Sequence, residues 1–161
     1  MIRTLSSDDT EAVFALVVAA GLFTLEEAPL LVQMLEGYED AARDEGHVGI
    51  VDEGPDGLSG VAYYRPRPVT DRVWDLTMIA VRPDLQGHGR GRALLAHVED
   101  DLRARGQRLL TVDTSGTAQY DRTRDFYRHC GYAQEARIRD YWQDGDDLVV
   151  FTKRIEVRPP R

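Results

Sequence analysis

The segment Ile79-Ala80-Val81-Arg82-Pro83-Asp84-Leu85-Gln86-Gly87-His88-Gly89-Arg90-Gly91-Arg92 gathers three glycines and three arginines between two apolar stretches. Val73 to Val81 reads as a long strand stopped by Pro83, and Leu94, Leu95, Val98 and Leu102 recur at helical spacing beyond the glycines. A helix beginning near Gly89 aims unpaired backbone N–H groups, and the positive end of its dipole, back at the loop. Such a loop receives a diphosphate, and glycines at 87, 89 and 91 let the backbone close around it. Arg82, Arg90 and Arg92 add positive charge at the same place. A flexible turn before a helix is the competing reading. Two other phosphate motifs fail on spacing: no G-x-x-x-x-G-K-[ST] is present, and Gly87-His88-Gly89-Arg90-Gly91 is not G-x-G-x-x-G after a first strand.

The elements that must hold this loop are legible on both sides of it. Ile2 to Leu5 reads as a short strand; Ser7 and Asp8 then offer helix caps, with Glu11 placed to close a capping box with Asp8. Ala12, Val13, Leu16, Val17 and Ala20 share one helical face that ends at Gly21. A second amphipathic stretch runs from Leu25 to about Arg43 through Leu30, Leu31, Met34, Leu35 and Tyr38, with a break expected at Pro29. Val48, Ile50 and Val51, the turn Glu53-Gly54-Pro55-Asp56-Gly57, and Val61 to Tyr64 predict a hairpin. Arg65-Pro66-Arg67-Pro68 is an irregular connection into the long strand. Gly106 closes the helix after the loop, Leu109 to Val112 forms the next strand, and a helix spans about Tyr120 to His129 with Gly131 as its stop. Strands at Ala133 to Tyr141 and Leu148 to Lys153 complete the order, and Glu156 to Arg161 reads as a loose tail. The expectation is one domain over residues 1–155 and a tail over 156–161.

A chain of 161 residues fits one domain of ordinary size. Its hydrophobic fraction of 42% and charged fraction of 30% exclude wholesale disorder or a fibrous repeat. A net charge of -8 opposes adsorption to nucleic acid or anionic lipid, so neither is expected as a partner. No window is long and apolar enough for a membrane span, and Met1-Ile2-Arg3-Thr4 runs into Ser6-Ser7-Asp8-Asp9, not into a signal core. With a single cysteine, Cys130, no internal disulfide forms, which agrees with a reducing compartment; the expectation is a cytoplasmic protein.

The glycine loop resembles the pyrophosphate loop of the GNAT superfamily of acyl-CoA transferases, Q/R-x-x-G-x-G/A between a strand and a helix, which Gln86, Gly89 and Gly91 match at every fixed position. Phe126-Tyr127-Arg128-His129-Cys130-Gly131-Tyr132 is similar to the family's second signature, F-Y-x-x-x-G-F/Y. The resemblance covers nearly the whole chain. It implies an α/β (α+β) fold: a mixed central sheet of about six to seven strands, splayed at the cofactor cleft, with helices on both faces. It also implies acetyl-CoA as acyl donor, bound by the loop Gln86, Gly87, His88, Gly89, Arg90, Gly91 and Arg92 and by backbone hydrogen bonds from Ile79, Ala80 and Val81 to the pantetheine arm. A backbone N–H of that kind would polarise the thioester carbonyl.

Acetyl transfer to an amine needs a base for the amine's proton and an acid for the departing thiolate. The resemblance puts Tyr127 in the acid role; Tyr120 and Thr123 fall on the same expected helix face, which makes all three candidate cofactor contacts. A buried core aromatic is the alternative for Tyr127. In the family, Asn and Ala often stand where this chain has Tyr120 and Thr123. For the base, Asp75 stands on the long strand where some members carry a catalytic glutamate, and Asp113, at the end of the next strand, resembles another position of a family acid. A solvent path is the third choice. Thr114 to Thr117 precede the helix and serve either as its cap or as a contact to ligand.

His88 suits a solvent-facing loop position better than a catalytic one, and His47, His97, His129 and Cys130 show no ligand spacing, so no metal is expected. Phe23, Tyr38, Tyr64, Trp74, Tyr141 and Trp142 are candidate acceptor walls or core residues. The acidic run Asp140 to Asp147 attracts a cationic amine or forms a solvated turn. The leading expectation is N-acetylation of a small primary amine; the rivals are a protein or peptide acceptor and a non-catalytic acyl-CoA-binding regulator. Exposed sheet edges are compatible with a homodimer.

Overall fold

The structure is a computed structural model that describes residues 1–24 and 26–155. The expected tail over 156–161 and the expected helix start at Leu25 lie outside the described residues. Two compact units divide the chain: Met1–Pro66 with Thr77–Asp100, and Arg67–Leu76 with Asp101 onward. Seven strands and five α-helices make a mixed α/β fold among the described residues.

In the first unit, β1 (Ile2–Thr4), β2 (Val48–Gly54), β3 (Gly57–Pro66) and the later part of β4 (Val73–Val81) lie in that order. β1 and β3 both run antiparallel to β2, and the β2–β3 hairpin closes at Gly57, whose φ of 102° only glycine adopts freely. Helices α1 (Thr10–Ala19), α2 (Ala28–Glu36) and α3 (Tyr38–Glu45) follow β1. Val13, Leu16 and Val17 of α1 and Leu31 and Leu35 of α2 bury against Val51, Val61, Tyr63, Met78 and Ala80 of the sheet. The opposite face takes α4 (Arg90–Ala104): a side chain at Gly60 would put its Cβ 2.6 Å from Leu94 Cδ1 and 3.1 Å from the Ala80 carbonyl oxygen, so only glycine lets helix and strand approach this closely. Helices therefore cover both faces, as the alternation of side chains along β3 requires.

Two local expectations need correction. The amphipathic stretch breaks at Gly37, between α2 and α3, and not at Pro29, because a proline in the first turn of a helix sacrifices no hydrogen bond; Pro29 opens α2. The capping box also sits two residues earlier than Asp8 and Glu11: the Ser6 N–H and hydroxyl donate to Asp9, at 2.9 and 3.2 Å, and a short 3-10 turn (Ser7–Asp9) leads into α1. Asp9 also takes two bonds from Arg3, each 2.8 Å. This guanidinium, against partial burial, holds the Asp9 carboxyl down to about 2. A depressed native value contributes stability that is fully present above the unfolded value near 4 and is lost as pH falls through about 2. Asp9→Asn should therefore cost about 2 kcal/mol at pH 7, with the gap between the two proteins closing between about pH 4 and 2 in urea-melt series.

In the second unit the order is β4, β5 (Leu109–Ser115), β7 (Asp146–Arg154), β6 (Ala133–Gln143). β5 runs parallel to β4, and their ladder covers three pairs, Val73 with Leu109, Trp74 with Leu110 and Asp75 with Thr111. β7 runs antiparallel to both β5 and β6. Helix α5 spans Asp121–His129 after a 3-10 turn at Ala118–Tyr120, so Tyr120 precedes the helix and does not share a face with Thr123 and Tyr127 as expected. Leu102, Leu110, Val112, Tyr127, Tyr132, Val149 and Phe151 are among the buried apolar residues of the second unit.

Candidate active site

In the first unit the end of β4 turns through Arg82 to Gly89 into α4. A 3-10 turn at Pro83–Leu85 starts the bend, and Gly87 and Gly89, with φ of 78° and 80°, complete it; their would-be Cβ positions meet nothing within 4 Å. The open side of these glycines is where a ligand can come close to backbone. The first helical hydrogen bond runs from the Ala93 N–H to the Gly89 carbonyl, 3.0 Å. The N–H groups of Arg90, Gly91 and Arg92 therefore belong to the helix's unpaired first turn.

Side chains of the loop hold it in shape. Gln86 Nε2 donates to the Val81 carbonyl at 3.0 Å, and His88 Nδ1 lies 2.9 Å from the Gln86 carbonyl oxygen. Arg82 is engaged by Asp84, at 2.7 and 3.1 Å. Arg90 Nη1 donates to Asp52 at 2.9 Å and to Ser59 at 3.2 Å. The expected pool of loop charge is thus mostly spent on internal ion pairs, since both guanidiniums reach carboxylates that the hairpin and loop place beside them. Arg92 is exposed at the head of α4. Ile79 and Val81 are partly accessible, while Ala80 faces the core.

The second unit brings the two rival acids together. Asp75 and Thr111 are register partners, and Asp113 lies two residues further along β5, on the same face as Thr111. The Thr111 hydroxyl donates to Asp75 Oδ1 at 3.2 Å. One nitrogen, Arg67 Nη2, lies 4.0 Å from Asp75 Oδ1 and 3.7 Å from Asp113 Oδ2. Desolvation first, and then the charge of Asp75, push the Asp113 carboxyl above the usual carboxylate range, against the pull of Arg67. Neither Arg67 nor Thr111 was expected at the site: the register of a parallel pair is not written in either strand alone.

Tyr127 sits on the buried face of α5, its ring 5.3 Å from Phe126, 5.6 Å from Tyr132 and 5.7 Å from Phe151. Burial raises its hydroxyl well above the ordinary phenol range. No buried side-chain polar atom among the described residues lacks a partner. Thr123 is half-buried one turn earlier. The loop Ser115 to Thr117 is tied to α5 by Arg124, whose Nη1 donates to the Ser115 and Thr117 carbonyls at 2.6 and 2.9 Å and which pairs with Asp121. The expected cap is not formed: neither the 3-10 turn nor α5 takes a side-chain capping bond, because the Ser115 hydroxyl is engaged by Asp146 and by the Thr117 N–H within the loop. The acidic run is likewise a bonded turn: Asp147 pairs with Arg137 at 2.6 Å, Asp140 accepts the Gly145 N–H at 2.8 Å, and Asp146 accepts the Ser115 hydroxyl at 2.5 Å. Tyr38, Tyr64 and Trp74 are buried, whereas Tyr141 and Trp142 are half exposed and meet edge to face at 4.8 Å. Among the described residues, no three His, Cys, Asp or Glu side chains are grouped to hold a metal ion, and no helix is long and apolar enough to cross a membrane.

Residues 13–132 match the family model described as Acetyltransferase (GNAT) family. An amino-acid acetyltransferase of Azotobacter vinelandii is 37% identical over 103 residues, which are 63% of this chain and 23% of that protein. The chain thus spans under a quarter of that relative's length. The crystal structure of a GNAT-family protein from Desulfovibrio desulfuricans superposes with a TM-score of 0.90 at 34% identity, covering 97% of this chain and 99% of that one. The ribosomal-protein-S18-alanine N-acetyltransferase of Escherichia coli shares the fold, with a TM-score of 0.77 at 22% identity over 99% of this chain and 96% of that one.

Proposed function

Because the chain belongs to the GNAT family of acetyltransferases, we propose that it moves the acetyl group of acetyl-CoA to a primary amine of a small molecule by direct attack within a ternary complex. The observation that carries this reading is the head of α4, where Gly87 and Gly89, at positive φ and with open space at their Cβ positions, lead into the helix's unpaired first turn. The diphosphate of the donor sits against the N–H groups of that turn, and the backbone of Ile79 and Ala80 takes the pantetheine amides, the Val81 carbonyl being already held by Gln86.

The neutral amine attacks the thioester carbonyl carbon, a carbon–nitrogen bond forms, and the carbon–sulfur bond breaks. The amine's proton goes to the Asp75–Asp113 pair, directly or through one water, and Tyr127 gives its proton to the departing thiolate. The charge of Asp75 acts on Asp113, and the two carboxylates share Arg67, so the base is read as this pair. Asp113's raised proton affinity brings that base nearer to neutral pH, where proton transfer is most efficient.

The test is a calorimetric titration with acetyl-CoA, CoA and ATP, followed by a thiol-release screen of amino acids, polyamines, aminoglycosides and N-terminal peptides. Micromolar binding of the first two ligands and turnover with a free amine is the expected result. Turnover with peptides alone would move the acceptor to protein, and binding without turnover of any amine would make the chain an acyl-CoA sensor.

A further inference from the structure

We propose that Arg67 is a positioning residue for acetyl transfer, whose guanidinium, shared between Asp75 and Asp113, keeps the acid pair in its proton-accepting form. The inference rests on the reading of that pair as the base. One nitrogen of Arg67 faces both carboxylates, at 4.0 and 3.7 Å. These separations give Coulomb attraction without a short hydrogen bond, so the cation favours charge on the pair. Asp75 faces Thr111 from β5, and the charged groups acting on Asp113 are Asp75 on β4 and Arg67 on the β3–β4 connection. Without Arg67, Asp113 would lose the cation that opposes its desolvation and the charge of Asp75, and would keep its proton further up the pH scale.

The connection that carries Arg67 is built to hold it. The Arg67 N–H donates to the Val73 carbonyl at 2.8 Å, and the Thr70 hydroxyl donates back to the Arg67 carbonyl at 2.7 Å. Arg108 clamps the other end, with Nε and Nη2 at 3.1 and 3.0 Å from the Asp71 carbonyl oxygen and its N–H at 2.9 Å from that of Arg72. Val69 and Arg72 adopt φ of 65° and 55° within this short stretch, a conformation that a β-branched residue rarely takes. Strain of this kind persists only where surrounding bonds over-determine the backbone, and here they fix the root of one side chain.

The experiment compares the wild-type chain with Arg67→Ala and Arg67→Lys. Carbon-13 NMR follows the Asp75 and Asp113 carboxyl groups through pH without reference to activity, and turnover is measured over the same range at saturating acetyl-CoA and acceptor. In Arg67→Ala the Asp113 midpoint should rise by about half to one pH unit, modest because the guanidinium is partly solvated. The ratio of variant to wild-type turnover, in which the acceptor's own titration cancels, should fall as pH falls through that midpoint. Arg67→Lys should restore both. An unmoved midpoint, with Asp75→Asn and Asp113→Asn inactive, would overturn the role of Arg67 and leave the base reading standing. A moved midpoint with a flat rate ratio would overturn both together.

Discussion

Gly89→Asp should lower acetyl-CoA affinity on the order of 1,000-fold while leaving the melting temperature almost unchanged. Gly89 occupies the cap position of α4: its carbonyl accepts the first helical bond, from the Ala93 N–H. Aspartate is among the preferred residues at such a position because its carboxylate bonds the helix's own unpaired N–H groups. Those N–H groups are the ones assigned to the diphosphate, so the substitution would satisfy the helix and block the ligand in one step. To this is added repulsion between the carboxylate and the diphosphate, about 4 kcal/mol for one pair of charges near 4 Å at a protein surface. The φ of 80° at Gly89 adds strain of about 1–2 kcal/mol for any side chain, offset in the aspartate case by the cap it makes. Gly89→Ala, which brings the strain alone, should bind less weakly than Gly89→Asn, which occupies the donors without charge, and Gly89→Asp should bind worst. Calorimetry with acetyl-CoA reads the series, and an aspartate variant that binds as the wild type does would sink the loop assignment.

How far such a site can be read from sequence depends on the range of the interaction concerned. The loop and its glycines were legible because the strand end, the positive-φ turn and the helix start are all local. The partners of its arginines were not: Arg90 is taken by Asp52, 38 residues away, and nothing in the local charge pattern distinguishes a cation waiting for phosphate from one already neutralised. The same limit explains the acids. Asp75 and Asp113 stood as rivals in sequence because nothing in either strand specifies the offset at which β4 and β5 pair; the register of Asp75 with Thr111 turns the rivals into one pair and brings in Arg67 from a connection that looked irregular. Local ambiguity misled as well. Ser6-x-x-Asp9 and Asp8-x-x-Glu11 both satisfy the capping pattern, and only the Arg3 ion pair on Asp9 decides between them. Pro29 and Gly37 both punctuate a helical stretch, yet a proline tolerated in a first turn starts a helix where the sequence suggested an interruption.

Tyr127→Phe separates the two readings of the second signature, acid or core aromatic. The ring is enclosed by Phe126, Tyr132 and Phe151, and phenylalanine preserves all three contacts, so the fold and acetyl-CoA affinity should both survive. What disappears is one hydroxyl. If that hydroxyl protonates the leaving thiolate, kcat should fall by about 100-fold, at the low end for a general acid because a thiolate is already a fair leaving group. kcat and kcat/KM should fall together, since the lost interaction is made in the transition state only. Burial holds the Tyr127 hydroxyl above the ordinary phenol range, so the wild-type enzyme keeps its acid protonated through neutral and mildly alkaline pH. Any loss of rate between pH 7 and 9 must then come from another group, and the variant should show the same alkaline limb as the wild type at a lower plateau. A solvent deuterium isotope effect on kcat should shrink with the hydroxyl, because the proton in flight is the one it supplies. Full activity in the variant would instead leave Tyr127 as an aromatic of the second unit's core, with water as the proton source for the thiolate.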